Sequence, residues 1–328
     1  MEQTPLLPDD LLCWVVSDGT AGMMAQSLAL AESLGISFFD MRMFPSPIYR
    51  MIPQMGAVPF MPISPIRADR KSGPPWPDLI ISCGRRMVGT CLAIQRQNAG
   101  QTKLVHIQDP RVDPSYFDAM VVPMHDRISA ENHSHIVPSL GSLNRLTMPK
   151  ITDAAAILQP KFASIHQPIC AVMIGGNNKR YRPDEADFQR LAGQLAEHAK
   201  NTGAFLYLVP SRRTPKKGLK ILSNALQGSA HGFWDGQNDN PYPGILGLAD
   251  HIIVTSDSVN MVSEACITGK AVYIAELRAE TGRIATFHQQ MVAAGHCRPL
   301  GDDFGETAPV ILDQTRQIAE KVAAILLA

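Results

Sequence analysis

The chain has 328 residues, 45% of them apolar, and its 30 basic and 30 acidic side chains cancel to a formal charge of zero. That length accommodates two domains with a core each, and the apolar share excludes a disordered chain. The balanced charge argues against nucleic acid as a partner, which calls for a basic excess, and no apolar run approaches the ~20 residues of a bilayer span.

The opening "MEQTPLLPDD" is acidic and lacks the apolar core of a signal peptide. The expected location is cytoplasmic, with contact at a membrane periphery as a further expectation. "LLCWVVS" (11–17) reads as a buried strand, "DGTAG" as a turn, and "MMAQSLALAESLG" (23–35) as a helix ending on Gly35. A Pro- and Met-rich stretch (44–77) predicts irregular structure. "DLIISCG" (78–84), "KLVHIQ" (103–108) and "DAMVVP" (118–123) predict strands, with a helix over 85–97. Short apolar strands alternating with helix-length segments indicate a parallel α/β sheet.

The alternation lapses over 139–166, which holds Pro149 and Pro160 and reads as a linker. A second series starts at "PICAVMIGG" (168–176). Phe188, Leu191, Leu195 and Ala199 then recur at helical spacing. Strands are expected at 204–210, 251–256 and 271–276, and an amphipathic helix closes the chain. The expected division is a first Rossmann-like domain over 1–145, a linker over 146–166, a second over 167–308, and a last helix over 309–328.

In sheets of this kind ligands bind beyond the carboxyl ends of the strands, so the residues there carry the functional reading. In "IVTSDSVNMVSEACITG" (253–269), Thr255, Ser256 and Ser258 fall where strand becomes helix, with Ser256 or Asp257 as the expected cap. Asn260, Glu264 and Thr268 share one helical stripe. The free amides of a first turn seat a phosphate, and Glu264 is placed to accept from the hydroxyls of a ribose. The plainer reading is an ordinary cap beside a solvated glutamate. In "IGGNNKRYRPDE" (174–185), Gly175 and Gly176 allow close backbone approach, with Asn177, Asn178, Lys179, Arg180 and Arg182 as donors for a diphosphate. It is neither a Walker loop nor a Gly-x-Gly-x-x-Gly turn. "LVPSRRTP" (208–215) adds Ser211, Arg212 and Arg213 at another strand end.

The first half carries weaker signals of the same sort. Gly19 and Gly22 flank the first turn, Asp18 and Asp109 are candidate general bases, and Arg85, Arg86 and Arg111 are candidate anion donors. His106, inside an apolar strand, reads as a core residue. The cysteines at 13, 83, 91, 170, 266 and 297 include no Cys-x-x-Cys, and His125, His133 and His135 form no metal array. Neither a metal nor another cofactor is therefore expected.

Taken in order, "WVVSDGTAGMMAQSLALAESLG", "PDLIISCGRR", "IQDPR", "FDAMVVPMHD", "IGGNNKRY", "PSRRTP" and "TSDSVNMVSEACITGKAVYI" resemble the mitochondrial-fission "elongated mitochondria" (ELM) family, in its bacterial form. That family is itself similar to GT-B glycosyltransferases. The resemblance implies an α/β fold of two Rossmann-like domains facing a cleft, a nucleotide-sugar held by the second, and a last helix crossing back to the first. By that likeness Gly175 and Gly176 lie near a donor diphosphate, Glu264 holds the ribose, and Thr255, Ser256 and Ser258 contact phosphate. The family's first loop reads Asp-Gly-Lys-x-Gly-His-x-x-Gln. This chain keeps Asp18, Gly19, Gly22 and Gln26 but has Thr20 and Met23 at the lysine and histidine positions. The resemblance also implies an adaptor role, since plant relatives look like recruiters of a dynamin-related protein.

Three functions follow as expectations. The leading one is a metal-independent glycosyltransferase with a nucleoside-diphosphate-sugar donor, acting on an acceptor such as a lipid-linked or cell-envelope glycan. The others are a catalytically silent scaffold for a membrane-remodelling protein and an NDP-sugar 2-epimerase.

Overall fold

The structure, a computed structural model, describes residues 4–45, 47–58, 67–68, 73–126, 128, 133–178, 182–237, 239–302 and 308–328. It divides into two compact units, Met1–Arg145 with Asp313–Ala328, and Leu146–Leu312.

The first unit opens with β1 (Cys13–Ser17), whose five residues are all buried. Burial on both faces is what a continuous apolar run specifies in a parallel sheet. Helix α1 (Ala21–Leu34) stops at Gly35, whose φ of 74° is left-handed and whose amide donates to Glu32 O at 3.1 Å. Glycine meets that geometry without a Cβ clash. β2 (Phe38–Phe44), α2 (Pro47–Met51), β3 (Arg67–Ala68), β4 (Leu79–Cys83), α3 (Val88–Gln97), β5 (Lys103–Ile107), β6 (Ala119–Pro123) and β7 (Ile136–Ser139) follow. The strand order is β3-β2-β1-β4-β5-β6-β7, parallel except for the β2–β3 pair.

The second unit contains α4 (Met148–Leu158), β8 (Ile169–Ile174), α5 (Glu185–Thr202), β9 (Phe205–Pro210), α6 (Lys216–Ala225), β10 (His231–Phe233), α7 (Tyr242–Leu248), β11 (His251–Thr255), α8 (Val259–Ala265), β12 (Ala271–Ala275), α9 (Arg283–Ala293) and β13 (Arg298–Pro299). Its sheet is parallel throughout, in the order β10-β9-β8-β11-β12-β13. A capping box starts α5: Asp184 accepts from the Asp187 amide, and Asp187 accepts from the Asp184 amide. The last helix, α10 (Thr315–Leu327), returns to the first unit. There Ile318, Ala319, Val322, Ala323 and Leu326 join the core formed with β1, α1 and β4.

Two differences from the sequence reading have clear causes. The stretch 146–166, read as a linker, carries α4. Pro149 lies in the first turn of that helix, where no intrahelical donor is needed, so it starts the helix rather than breaking it. β2 was missed because it lies next to the sheet edge, and only Met41 and Met43 of its seven residues are buried. Among the described residues, no helix is long and apolar enough to cross a membrane.

Candidate functional site

Each sheet grows in one direction from its first strand and then restarts on that strand's other side. Strand order therefore reverses between β8 and β11 in the second unit, and between β1 and β4 in the first. Turns leaving such neighbours diverge and open a crevice at their carboxyl ends.

In the second unit, three turns meet at this point. The Gly175 amide donates to Thr255 Oγ1 at 2.7 Å, and the Gly176 amide to Asp257 Oδ2 at 3.1 Å. Thr255 donates in turn to Asp257 Oδ1 at 2.7 Å. Arg213, from the β9 turn, pairs with Asp257 Oδ2 at 2.8 Å, and the Asp257 side chain is wholly buried. Thr214 Oγ1 lies 2.9 Å from Ile174 O and 2.6 Å from Gly175 O, and Asn177 N donates to Arg213 O at 3.0 Å. The glycines are required by space: a Cβ on Gly175 would lie 1.9 Å from an Asp257 carboxylate oxygen, and one on Gly176 2.3 Å from Arg213 O.

The expected cap moves by a residue or two. Ser258, not Ser256 or Asp257, caps α8, its Oγ accepting from the Met261 amide at 3.4 Å. Asp257 is turned inward onto Gly176 and Arg213 instead. Ser256 is buried, with its Oγ 3.5 Å from Glu280 Oε1. Both line or adjoin a cavity of about 240 Å³ that also includes Ile274, Glu276 and His288.

Glu264, in the second turn of α8, is half-buried and accepts from the Tyr242 hydroxyl at 2.7 Å. Desolvation pushes its carboxyl up to about 7, with the Tyr242 hydrogen bond pulling the other way. Burial and the Glu264 charge in turn push the Tyr242 phenol well above its ordinary value. Pro241, beside Tyr242, lines a second cavity of about 300 Å³ with Tyr207, Phe233, Trp234, Asp235 and Asp239. Trp234 Nε1 is buried with no protein hydrogen-bond partner among the described residues.

The structure therefore brings Gly175, Gly176, Asn177, Ser211, Arg213, Thr255 and Asp257 into one hydrogen-bonded cluster. Asn177 joins it through its backbone and is otherwise exposed, Arg212 is exposed beside it, and Asn178 and Asn260 are half-buried. Lys179 and Arg180 lie outside the described residues. Sequence reasoning missed Thr214 and Tyr242, and gave Asp257 only a capping role. Thr214 sits inside a motif already singled out, whereas nothing local ties Tyr242 to Glu264, 22 positions away.

In the first unit, Asp18 after β1 pairs with Arg86 after β4 at 2.8 Å, and accepts from the Thr20 amide at 3.0 Å. Burial raises the Asp18 carboxyl, but the Thr20 and Arg86 interactions outweigh it and leave it below the usual carboxylate range. Gly19 has φ 78°, and a Cβ there would lie 2.5 Å from Arg42 Nε. Gly22 accepts from the Gln26 side chain, and Met23 packs its sulfur 3.4 Å from Cys83 Sγ. Asp109 is buried, pairs with Arg111 Nε at 2.9 Å and accepts from the Arg111 amide at 2.8 Å. Gln108 and Arg111 beside it hold left-handed φ values of 77° and 63°, strained for side chains of this kind. Arg85 points into solvent. His106 is a core residue as expected: it is wholly buried, bonds Ser82 at 2.9 Å, and is pushed down to about 3 by desolvation.

Two doubly wound sheets, parallel but for the β2–β3 pair, with their order reversals at glycine turns define a GT-B-like α/β protein. A UDP-GlcNAc 2-epimerase of Methanocaldococcus jannaschii, solved with UDP-GlcNAc and UDP, matches at a TM-score of 0.54 and 12% identity, covering 97% of this chain and 99% of that one. That likeness speaks for the fold alone. The chain belongs to the mitochondrial fission ELM1 family, whose profile matches residues 21–326. It is 29% identical over 248 residues to the mitochondrial fission protein ELM1 of Arabidopsis thaliana, covering 68% of this chain and 57% of the plant protein. It is 30% identical over 310 residues to an uncharacterised protein of Rickettsia prowazekii, covering 80% of this chain and 82% of that protein.

Proposed function

We propose that the second unit binds a nucleoside-diphosphate sugar and that the protein transfers its glycosyl group to an acceptor hydroxyl, with no metal at the diphosphate. The observation that carries this reading is Glu264, half-buried in α8 and steered by Tyr242, one helix beyond the order-reversing turns. A ribose supplies the two hydroxyl donors such a carboxylate accepts. The aromatic faces of Phe233 and Trp234 offer a base a stacking surface, and the exposed Arg212 offers a guanidinium fork to a departing diphosphate, with Arg213 beside it held by Asp257. An acceptor hydroxyl needs a base. Asp18 and Asp109 are the two candidates in the first unit, each held in an ion pair, with Arg86 and Arg111 respectively.

Calorimetry with UDP, GDP and ADP, free and sugar-linked, tests the reading. One of them is expected to bind below millimolar concentration, and Glu264→Ala to weaken it about tenfold or more, a loss of roughly 1.4 kcal/mol. If all three fail at millimolar concentration, or Glu264→Ala changes nothing, the reading is lost. Epimerisation of the same ligand would be told apart by exchange of a carbon-bound proton in D₂O, which transfer does not cause.

One observation favours a second reading, a catalytically silent scaffold. The Gly175 and Gly176 amides, expected to face phosphate, already donate to Thr255 and Asp257. A stoichiometric protein partner together with no nucleotide binding would support that alternative.

A further inference from the structure

At the opposite end of the same sheet from the glycine turns, a second set of chemically capable side chains comes together. His251 opens β11 and is in register with Cys170 near the start of β8. Paired residues on neighbouring strands face the same side of a sheet, here the side covered by α5. That helix contributes His198 from its last turns. The Nε2 atoms of His198 and His251 are 2.7 Å apart, and the Cys170 sulfur lies with them so that all three donor atoms fall within 4.8 Å of one another. Cys170 is wholly buried and both histidines are half-buried, which leaves the cluster closed below and open to solvent above.

We propose that Cys170, His198 and His251 form a binding site for a borderline-soft divalent transition metal, zinc(II) foremost. One thiolate and two imidazoles are the donor types that ion selects. Four-coordinate geometry sets imidazole nitrogens about 3.3 Å apart and the sulfur slightly farther, so side-chain shifts on the order of 1 Å complete the set and leave one position for water. The 2.7 Å contact between the two Nε2 atoms is a hydrogen bond in which one ring donates, so metal binding requires that proton to move to the ring's Nδ1, which frees a lone pair on each Nε2. Burial raises the Cys170 thiol, so binding forms the metal–sulfur bond as the thiol proton leaves to solvent. The ion would tie α5 to β8 and β11, away from the nucleotide-binding turns, and so does not depend on the function proposed above.

The test uses the full chain, freed of metal with a chelator and titrated with zinc(II) by calorimetry and with cobalt(II) by absorbance. One equivalent is expected to bind, with a cobalt–thiolate charge-transfer band in the near ultraviolet. Cys170→Ser should abolish that band, and His198→Gln and His251→Gln should each weaken zinc about 100-fold or more. His133→Gln, in the other unit, should leave binding unchanged. No saturable binding, a cobalt complex lacking the thiolate band, or affinity indifferent to all three ligand variants would overturn the proposal. If Cys170→Ser does not fold, the wild-type cobalt spectrum and His198→Gln, on a half-buried helix position, still decide.

Discussion

Glu264 shows how one side chain ties stability to pH. Its carboxyl is raised from an ordinary 4.5 to about 7 by desolvation, so between those values the folded chain holds a proton that the unfolded chain has released. Stability therefore falls as pH rises through that window. The fall should amount to at most about 3 kcal/mol, reduced by the side chain's partial exposure. Urea midpoints from pH 5 to pH 8 should decline in the wild type, and Glu264→Gln should remove this part of the decline. An unchanged slope in the variant would show that the carboxyl is not desolvated. At this scale the sequence exposed Glu264 through its helical spacing, but not its partner, because Tyr242 reaches it only once α7 and α8 are packed together.

Among the elements, the interlocked turns of β8, β9 and β11 are the most demanding local structure. Gly175→Ala would drive a methyl group into the buried Asp257 carboxylate and break its contacts with Gly176, Thr255 and Arg213. Destabilisation by about 1–3 kcal/mol is expected in chemical denaturation. Gly193→Ala is the contrast: that glycine sits inside α5 with open space where a Cβ would go, so alanine should stabilise by about 0.5–1 kcal/mol. Equal effects of the two substitutions would refute this account of the turn. The glycines, hydroxyls and arginines of the three turns were legible in sequence because strand ends are marked by apolar runs. That they bond mainly to one another was not, since the deciding group, Asp257, resembles any helix-capping aspartate until Arg213 is brought to it from 44 positions away.

For the molecule as a whole, the last helix matters most. Val322 is wholly buried in the core that α10 shares with α1 and β1. Val322→Asp would put an unpaired charge there, and a loss above about 3 kcal/mol, with an earlier thermal transition by circular dichroism, is expected. A melting curve like that of the wild type would mean that α10 is dispensable to the first unit. The alternation of apolar runs and amphipathic segments determined from sequence alone that the protein is α/β with parallel sheets, because local periodicity reports which faces are buried. It determined, too, which strand ends carry the glycines, hydroxyls and arginines. Only the tertiary structure decided that Asp257 holds the glycine turns together and that Cys170, His198 and His251 converge. Each of these depends on contacts between residues far apart in the chain, and no spacing rule encodes such contacts.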